Sequence, residues 1–251
     1  MKTEWDIESA IATYNVEAWG EGYFAVNNSG NVEARPLKSD GGSIDLLEVV
    51  NEARARNLGF PLLVRFQDLL RHRVESINRA FQRAISEFGY GNDYRGVFPI
   101  KVNQLREVVE EIVDAGEQFH VGLEAGSKPE LVAALAVLKD PASLIICNGY
   151  KDAGFIRIAL LGRKLGKSVV IVAEKLEEVE QVIRAAKEVG VEPCIGIRAR
   201  LHSKGSGKWS PSGGENAKFG LDTTNLVAAS QMLKDAGLAH CLKLVHFHVG
   251  S

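Results

Sequence analysis

The sequence predicts an α/β fold, a (β/α)8 TIM-type barrel read through about seven strands, with a small N-terminal β element in front of it. Three observations predict it. Short apolar, β-rich runs recur from residue 62 onward, amphipathic helical stretches separate them, and polar side chains capable of chemistry stand where the runs end. The runs are PLLVRF (61–66), GVFPIKV (96–102), FHVGLEA (119–125), SLIICNG (143–149), SVVIVAE (168–174), PCIGIRA (193–199) and LKLVHFHVG (242–250). Runs that are apolar throughout, rather than alternating, suit parallel strands buried on both faces.

The stretches between the runs read as helices. QLREVVEEIVDAG places Leu105, Val108, Val109, Ile112 and Val113 on one face of a 3.6 period and ends on Gly116, an expected C-cap. SKPELVAALAVL opens with Ser127 as N-cap, Pro129 in the first turn and Glu130 third after the cap, as in a capping box. LEEVEQVIRAAKEVG and TTNLVAASQMLKDAG repeat the pattern. An open doubly wound sheet is the structural alternative. The barrel is favoured because the polar residues end many different strands, and only a barrel brings all those ends together.

Residues 1–58 read as the N-terminal β element and residues 59–251 as the barrel. In the first region WDIESAIATYNVEAWGEGYFAVNNSGNVEARP carries aromatics in short alternating runs, with Asn-Asn-Ser-Gly as a turn signal. The chain stops at HVGS, at the end of the expected seventh strand. An incomplete barrel is therefore expected, without an eighth strand or a C-terminal β domain.

Composition limits the function. The 251 residues are 45% hydrophobic and 25% charged, as in an ordinary globular chain. With 30 Lys and Arg against 32 Asp and Glu, the net charge of -2 makes no electrostatic case for nucleic acid or an acidic membrane. No apolar run is long enough to span a bilayer, and the first residues have no secretory h-region. Cys147, Cys194 and Cys241 lie far apart inside apolar runs and form no CxxC pair, so buried free thiols in a reducing, cytoplasmic setting are expected.

Five run ends carry the candidate chemistry. Lys101 closes VFPIK, and a lysine beside buried strand residues is desolvated unless neutralised, for example by forming an imine with an aldehyde cofactor. The bland alternative is a buried stem with its ammonium in solvent. Glu124 ends FHVGLE and either orients a ligand or caps the next helix. Asn148 and Lys151, in CNGYKD, serve a site or form a turn. Arg198 either clamps an anion or ends a solvated strand. His248, two residues from His246, shares its face at period 2 and either stacks on a flat ring or sits hydrogen-bonded in the core. A metal at this histidine pair lacks a third nearby ligand. The Gly-, Ser- and Lys-rich stretch 203–220 lacks P-loop spacing and reads as a lid or loop.

The segments YNVEAWGEGYFAVN, SINRAF, FPIKVNQ, GLEAGSKPEL, ICNGYKD, GSGKW, SGGENAKFGL and HFHVGS resemble the fold-III pyridoxal-phosphate decarboxylases and, within them, the biosynthetic arginine decarboxylases. The resemblance covers nearly the whole chain. Under it, Lys101 matches the Schiff-base lysine, His248 the histidine stacked on the pyridine ring, and Ser251 a serine that helps hold the phosphate. Glu124 matches the acidic position near the ring hydroxyl and lysine, where ornithine decarboxylases carry aspartate. Glu130 matches a glutamate after the Ser-Lys pair, and Arg198 the arginine near that pair.

The resemblance implies pyridoxal 5'-phosphate as cofactor, Mg2+ as a further ion, L-arginine as substrate and a homo-oligomer. The implied reaction yields agmatine and CO2 for polyamine (spermidine) biosynthesis. The family's Gly-rich phosphate loop, the acidic partner of the pyridine nitrogen and the residues supplied across a dimer interface are not found in this sequence, so the chain alone is expected to be inactive. Rival readings are a diaminopimelate or ornithine decarboxylase, a cofactor-carrying barrel without decarboxylation, and a decarboxylase-like binding protein.

Overall fold

A computed structural model describes residues 6–201 and 219–249. The chain divides into two compact units, Met1–Ala84 and Ile85–Ser251, with the boundary later than the expected 58/59. Residues beyond 58 go with the N-terminal element because side chains tie them to it. The Tyr23 hydroxyl lies 2.7 Å from His72 Nδ1, and Phe66 stands edge-on to Phe24 at 6.4 Å between ring centroids.

The first unit contains the expected β element but more helix than its sequence suggested. Asp6 caps α1 (Ile7–Tyr14) by accepting from Ser9 N at 2.7 Å. Asn15, left-handed at φ 50°, ends α1 and leads into α2 (Val16–Gly20). The aromatic alternation of that stretch is therefore helical up to Gly20. β1 (Phe24–Val26), β2 (Val32–Ala34) and β3 (Ile44–Asp45) then form an antiparallel sheet in that order. The Asn27 side chain folds the β1–β2 turn, its Oδ1 accepting from Ser29 N and Asn31 N at 3.0 Å each. α3 (Leu46–Ala55) follows, and α4 (Gln67–Phe88) carries the chain into the second unit. The run 61–66, expected as the first barrel strand, forms no regular element and pairs with no strand among the described residues. Leu63 and Val64 are exposed there. Apolar content favours an extended run, but a strand also needs a ladder partner.

The second unit holds six parallel strands in sequential order: β4 (Val97–Pro99), β5 (Gly122–Ala125), β6 (Leu144–Cys147), β7 (Ser168–Ala173), β8 (Ile195–Arg198) and β9 (Leu242–His246). Helices α5 (Arg106–Gly116), α6 (Lys128–Val137), α7 (Ala153–Lys164), α8 (Leu176–Val189) and α9 (Thr223–Asp235) connect them. An order that never reverses is that of a barrel wall, because a doubly wound sheet reverses at its switch point. Successive residues alternate between two apolar layers. Leu123, Ile145, Ile171 and Ile195 pack with Leu131, Ile156, Leu160 and Val179 of the helices. Ile146, Val170 and Val172 form the other layer with Val97, Leu144 and Leu244. Burial on both faces explains why the runs are apolar throughout.

Local signals place the helices. Ser127 caps α6, its Oγ 3.5 Å from Glu130 N, while Glu130 Oε2 accepts from Gly126 N at 2.7 Å. The carboxylate thus reaches one residue before the cap, a shifted form of the expected capping box. Gly190, at φ 68°, ends α8. Gly116 is not the expected left-handed cap, since it is the last helical residue of α5 and a 3-10 turn follows it. Glycine is required there for space, because a Cβ would lie 2.4 Å from Val121 Cβ. All three cysteines are free, with Cys147 and Cys241 buried and Cys194 half-buried. Burial pushes the Cys147 thiol up to about 12. No helix of the described residues is long and apolar enough to cross a membrane.

Candidate active site

The C-terminal ends of the six strands carry most of the residues singled out in the sequence. Lys101 lies in the 3-10 turn Ile100–Val102 that leaves β4. Ile100 is buried, but Lys101 itself is exposed, so the desolvation expected of it is absent. Its charge still reaches Glu124 on the neighbouring strand.

Glu124 is buried in β5, opposite Pro99 of β4 and Ile146 of β6. Burial raises its carboxyl above the usual range. The Lys101 charge and a hydrogen bond with the Asn148 side chain oppose that rise, and Glu130 and Glu174 add to it. Glu124 does not cap the following helix, since Ser127 does. Its Oε2 is buried without a hydrogen-bond partner, as are Asn148 Oδ1, Glu174 Oε2 and His246 Nδ1. Buried polar atoms ordinarily have partners, and these four cluster at the ends of β5, β6, β7 and β9.

Glu174, which sequence reasoning passed over, organises this end of the sheet. It follows β7 directly, and its Oε1 accepts from Gly149 N at 2.8 Å and from Arg198 Nη1 at 3.1 Å. Arg198, the last residue of β8, is thus neither free to clamp an anion alone nor merely solvated. Its guanidinium also stands 5.3 Å from the Phe219 ring centroid. The signal for Glu174 was available, since it closes the apolar run SVVIVAE as Glu124 closes FHVGLE.

Behind Glu174 lies a buried ion pair. The Lys151 ammonium is 3.1 Å from Glu178 Oε2, with side chains 0% and 3% exposed, and it also donates to the Gly149 carbonyl. Glu178 accepts backbone N–H bonds from Lys151 at 2.7 Å and from Glu174 at 2.8 Å. Lys151, read as a site or turn residue, is therefore the anchor of the CNGYKD turn. Gly149 stands at φ 72° with room for a Cβ only 3.0 Å from the Gly126 carbonyl, so both its backbone and its packing favour glycine.

His246 ends β9 opposite Arg198. Burial holds its imidazole below the usual histidine range, and the Arg198 charge pushes the same way while Glu174 opposes. His248 is exposed and lies past the end of the ladder, so strand alternation does not orient it. Its charge, like that of Lys101, is felt at His246. Ser251 and all but the last two residues of the Gly-rich stretch 203–220 lie outside the described residues.

Comparison with known proteins identifies the family of this chain. The biosynthetic arginine decarboxylase of Parasynechococcus marenigrum (strain WH8102) is 48% identical over 247 residues, which cover 98% of this chain and 38% of that protein. That of Bacteroides thetaiotaomicron is 47% identical over 248 residues, 99% of this chain and 39% of that protein. The chain therefore spans about two fifths of these relatives' length. The crystal structure of the biosynthetic arginine decarboxylase from Campylobacter jejuni superposes with a TM-score of 0.83 at 34% identity, over 94% of this chain and 38% of that one. A diaminopimelate decarboxylase from M. jannaschi shares the fold, with a TM-score of 0.67 at 21% identity over 93% of this chain and 49% of that one. The family model described as pyridoxal-dependent decarboxylase, pyridoxal binding domain, matches residues 74–251. With the match running through every strand of the parallel sheet, this chain belongs to the pyridoxal-dependent decarboxylase family.

Proposed function

We propose that this chain holds pyridoxal 5'-phosphate and serves the decarboxylation of L-arginine to agmatine and CO2, a carboxy-lyase step of polyamine biosynthesis. The observation that carries the cofactor reading is the exposed Lys101 amine beside a buried Glu124 whose Oε2 has no partner. An amine open to solvent can meet an aldehyde, and unpartnered acceptors suit a ligand that brings donors. The relatives named as arginine decarboxylases support the substrate. A homo-oligomer and Mg2+ rest on the resemblance alone, and a cytoplasmic location on the free cysteines.

In this reading Lys101 Nζ forms the covalent link, and Ser251 and His248 hold the phosphate and ring as the resemblance implies. The bound cofactor supplies an electron sink for the pair of electrons left when CO2 departs. The chain's own residues do the rest. Glu124, its carboxyl raised by burial, holds a proton more readily than an ordinary carboxylate and can exchange it with Lys101 Nζ, which must be uncharged to attack. Asn148 orients Glu124, and Glu174 fixes Arg198 and the Gly149 backbone.

The test is reductive trapping. Borohydride treatment of the cofactor-loaded protein followed by peptide mapping should place the pyridoxyl group on Lys101. A label on another lysine, or none, overturns the assignment. Release of CO2 from labelled arginine, but not from ornithine or diaminopimelate, measured with this sequence in a chain of the relatives' full length, checks the substrate.

A further inference from the structure

At the opposite end of the sheet, where β8 and β9 begin, Glu192 precedes β8 and His240 and Cys241 occupy the 3-10 turn Ala239–Cys241 that enters β9. The ladder pair Ile195 and Leu242 holds the two segments side by side. Glu192 Oε1 is 3.0 Å from His240 Nε2, and Cys241 Sγ is 3.5 Å from the same nitrogen. The carboxylate oxygen, ring nitrogen and sulfur all lie within 4.8 Å of one another.

We propose that Glu192, His240 and Cys241 form a binding site for a thiophilic divalent cation, zinc by chemical class, that clamps the N-terminal ends of β8 and β9.

Two arguments carry it. The first is the shared nitrogen. In the ring plane Nε2 bears either one hydrogen or one lone pair, so Glu192 and Cys241 share a single donor or acceptor position. A cation on the lone pair turns both competing contacts into ligands. The second is geometry. Bonds of about 2.0–2.3 Å at tetrahedral angles separate oxygen, nitrogen and sulfur ligands by roughly 3.3–3.7 Å. The 3.0 and 3.5 Å spacings sit within a few tenths of an ångström of that range, and the carboxylate-to-sulfur spacing, within 4.8 Å, closes onto it by rotation of the exposed Glu192 side chain. One carboxylate and one thiolate neutralise the double charge, and water takes the fourth position. A thiolate ligand selects against Mg2+, which prefers oxygen.

Two basic residues, Arg163 and Lys243, lie near Cys241. The Arg163 guanidinium donates to the Glu192 carbonyl at 2.8 Å. Burial, with Glu192 and Cys194 adding, raises the Cys241 thiol, and the two basic charges only partly offset this while repelling the ion, so the affinity falls below that of a four-thiolate site. The position identifies the role. The N-terminal face of such a barrel is the end that conservation of structure, not catalysis, uses, and the site lies a strand length from Lys101.

Titration of the 251-residue chain with Co2+, a spectroscopic stand-in for zinc, tests it. One equivalent should give a thiolate-to-cobalt charge-transfer band that zinc displaces, and zinc should raise the melting temperature. Glu192→Gln and His240→Ala should each weaken binding at least tenfold, and Cys241→Ser should remove the band. Glu192 and His240 have side chains 71% and 57% exposed, so their variants keep the fold even if replacement of the buried Cys241 does not. Cys194→Ser should leave binding unchanged. Absence of the band overturns the proposal, as does a band that survives both exposed substitutions or is lost only with Cys194.

Discussion

The two ends of the parallel sheet are built on opposite terms. At the N-terminal end polar atoms are matched to partners. Asp140, before β6, accepts from Ala142 N and Ser143 Oγ at 2.9 Å each and meets His120 Nδ1, before β5, at 2.7 Å. Lys167 Nζ and Ser168 Oγ reach the carbonyls of Leu138 and Pro141 at 2.5 and 2.6 Å. At the C-terminal end Glu124, Asn148, Glu174 and His246 each leave a buried polar atom without a partner. One end closes the connections between strands; the other leaves buried polar atoms without partners among the described residues. Substitutions at the two ends should therefore separate function from stability.

The sharpest separation is expected at Lys101. Lys101→Ala should abolish covalent cofactor attachment, seen as loss of the cofactor's imine absorbance, while the melting temperature of the ligand-free chain stays within about 1 °C, since exposed substitutions move stability by under ~0.5 kcal/mol. A large drop in melting temperature would mean that Lys101 has a structural role and that the division between the ends fails there. The buried Lys151–Glu178 pair should blur the division in the other direction. Glu178→Ala strands the Lys151 ammonium, whose side chain is 0% exposed, and should cost about 3–5 kcal/mol. Chemical denaturation measures it. A loss under ~1 kcal/mol would show that Lys151 escapes to solvent and that the ion pair does not hold the CNGYKD turn.

Much of this was legible in the sequence, for physical reasons that also set its limits. Parallel strands buried on both faces leave apolar runs, so β4 to β9, and the positions of Lys101, Glu124, Asn148 and Arg198 at or just past their C-terminal ends, could be read directly. The run 61–66 was misleading because apolar content alone shows neither burial nor strand pairing, and Leu63 and Val64 are exposed there. Asp6 to Gly20 was misread because aromatic alternation outweighed an Asp N-cap. Gly116 was found for the wrong reason, since its need is set by Val121 across a turn. The Glu174 and Glu178 network was missed because its partners lie on different strands. Gly149 and Arg198 meet at one oxygen of Glu174, and nothing in local spacing announces that.

The smallest expected effects test the comparison most directly, through pH. Asp140 is held well below the usual carboxylate range, at about 2, chiefly by its hydrogen bond with His120, with Ala142 N and Ser143 adding and burial opposing. A depressed carboxyl contributes stability that is present above its unfolded value of 3.8 and is lost as pH falls toward 2. Asp140→Asn should therefore cost about 1 kcal/mol at pH 6, a modest figure because His120 is partly exposed, and its stability should converge on the parent's near pH 2. Glu124 has the opposite sign. Its carboxyl is raised, mainly by burial, so its contribution is fully present below the unfolded value and is lost as pH rises through the folded one. Glu124→Gln, which keeps the shape and removes the charge, should stabilise the ligand-free chain at pH 7 and lose that advantage below about pH 4. In the cofactor-loaded protein the same change should lower turnover by ~10²-fold or more if Glu124 moves a proton. Melting curves of the two variants from pH 3 to 8 should diverge from the parent in opposite directions as pH rises. Parallel curves would show that the charge on Glu124 is compensated within the chain, and that the C-terminal end is not held ready for a ligand.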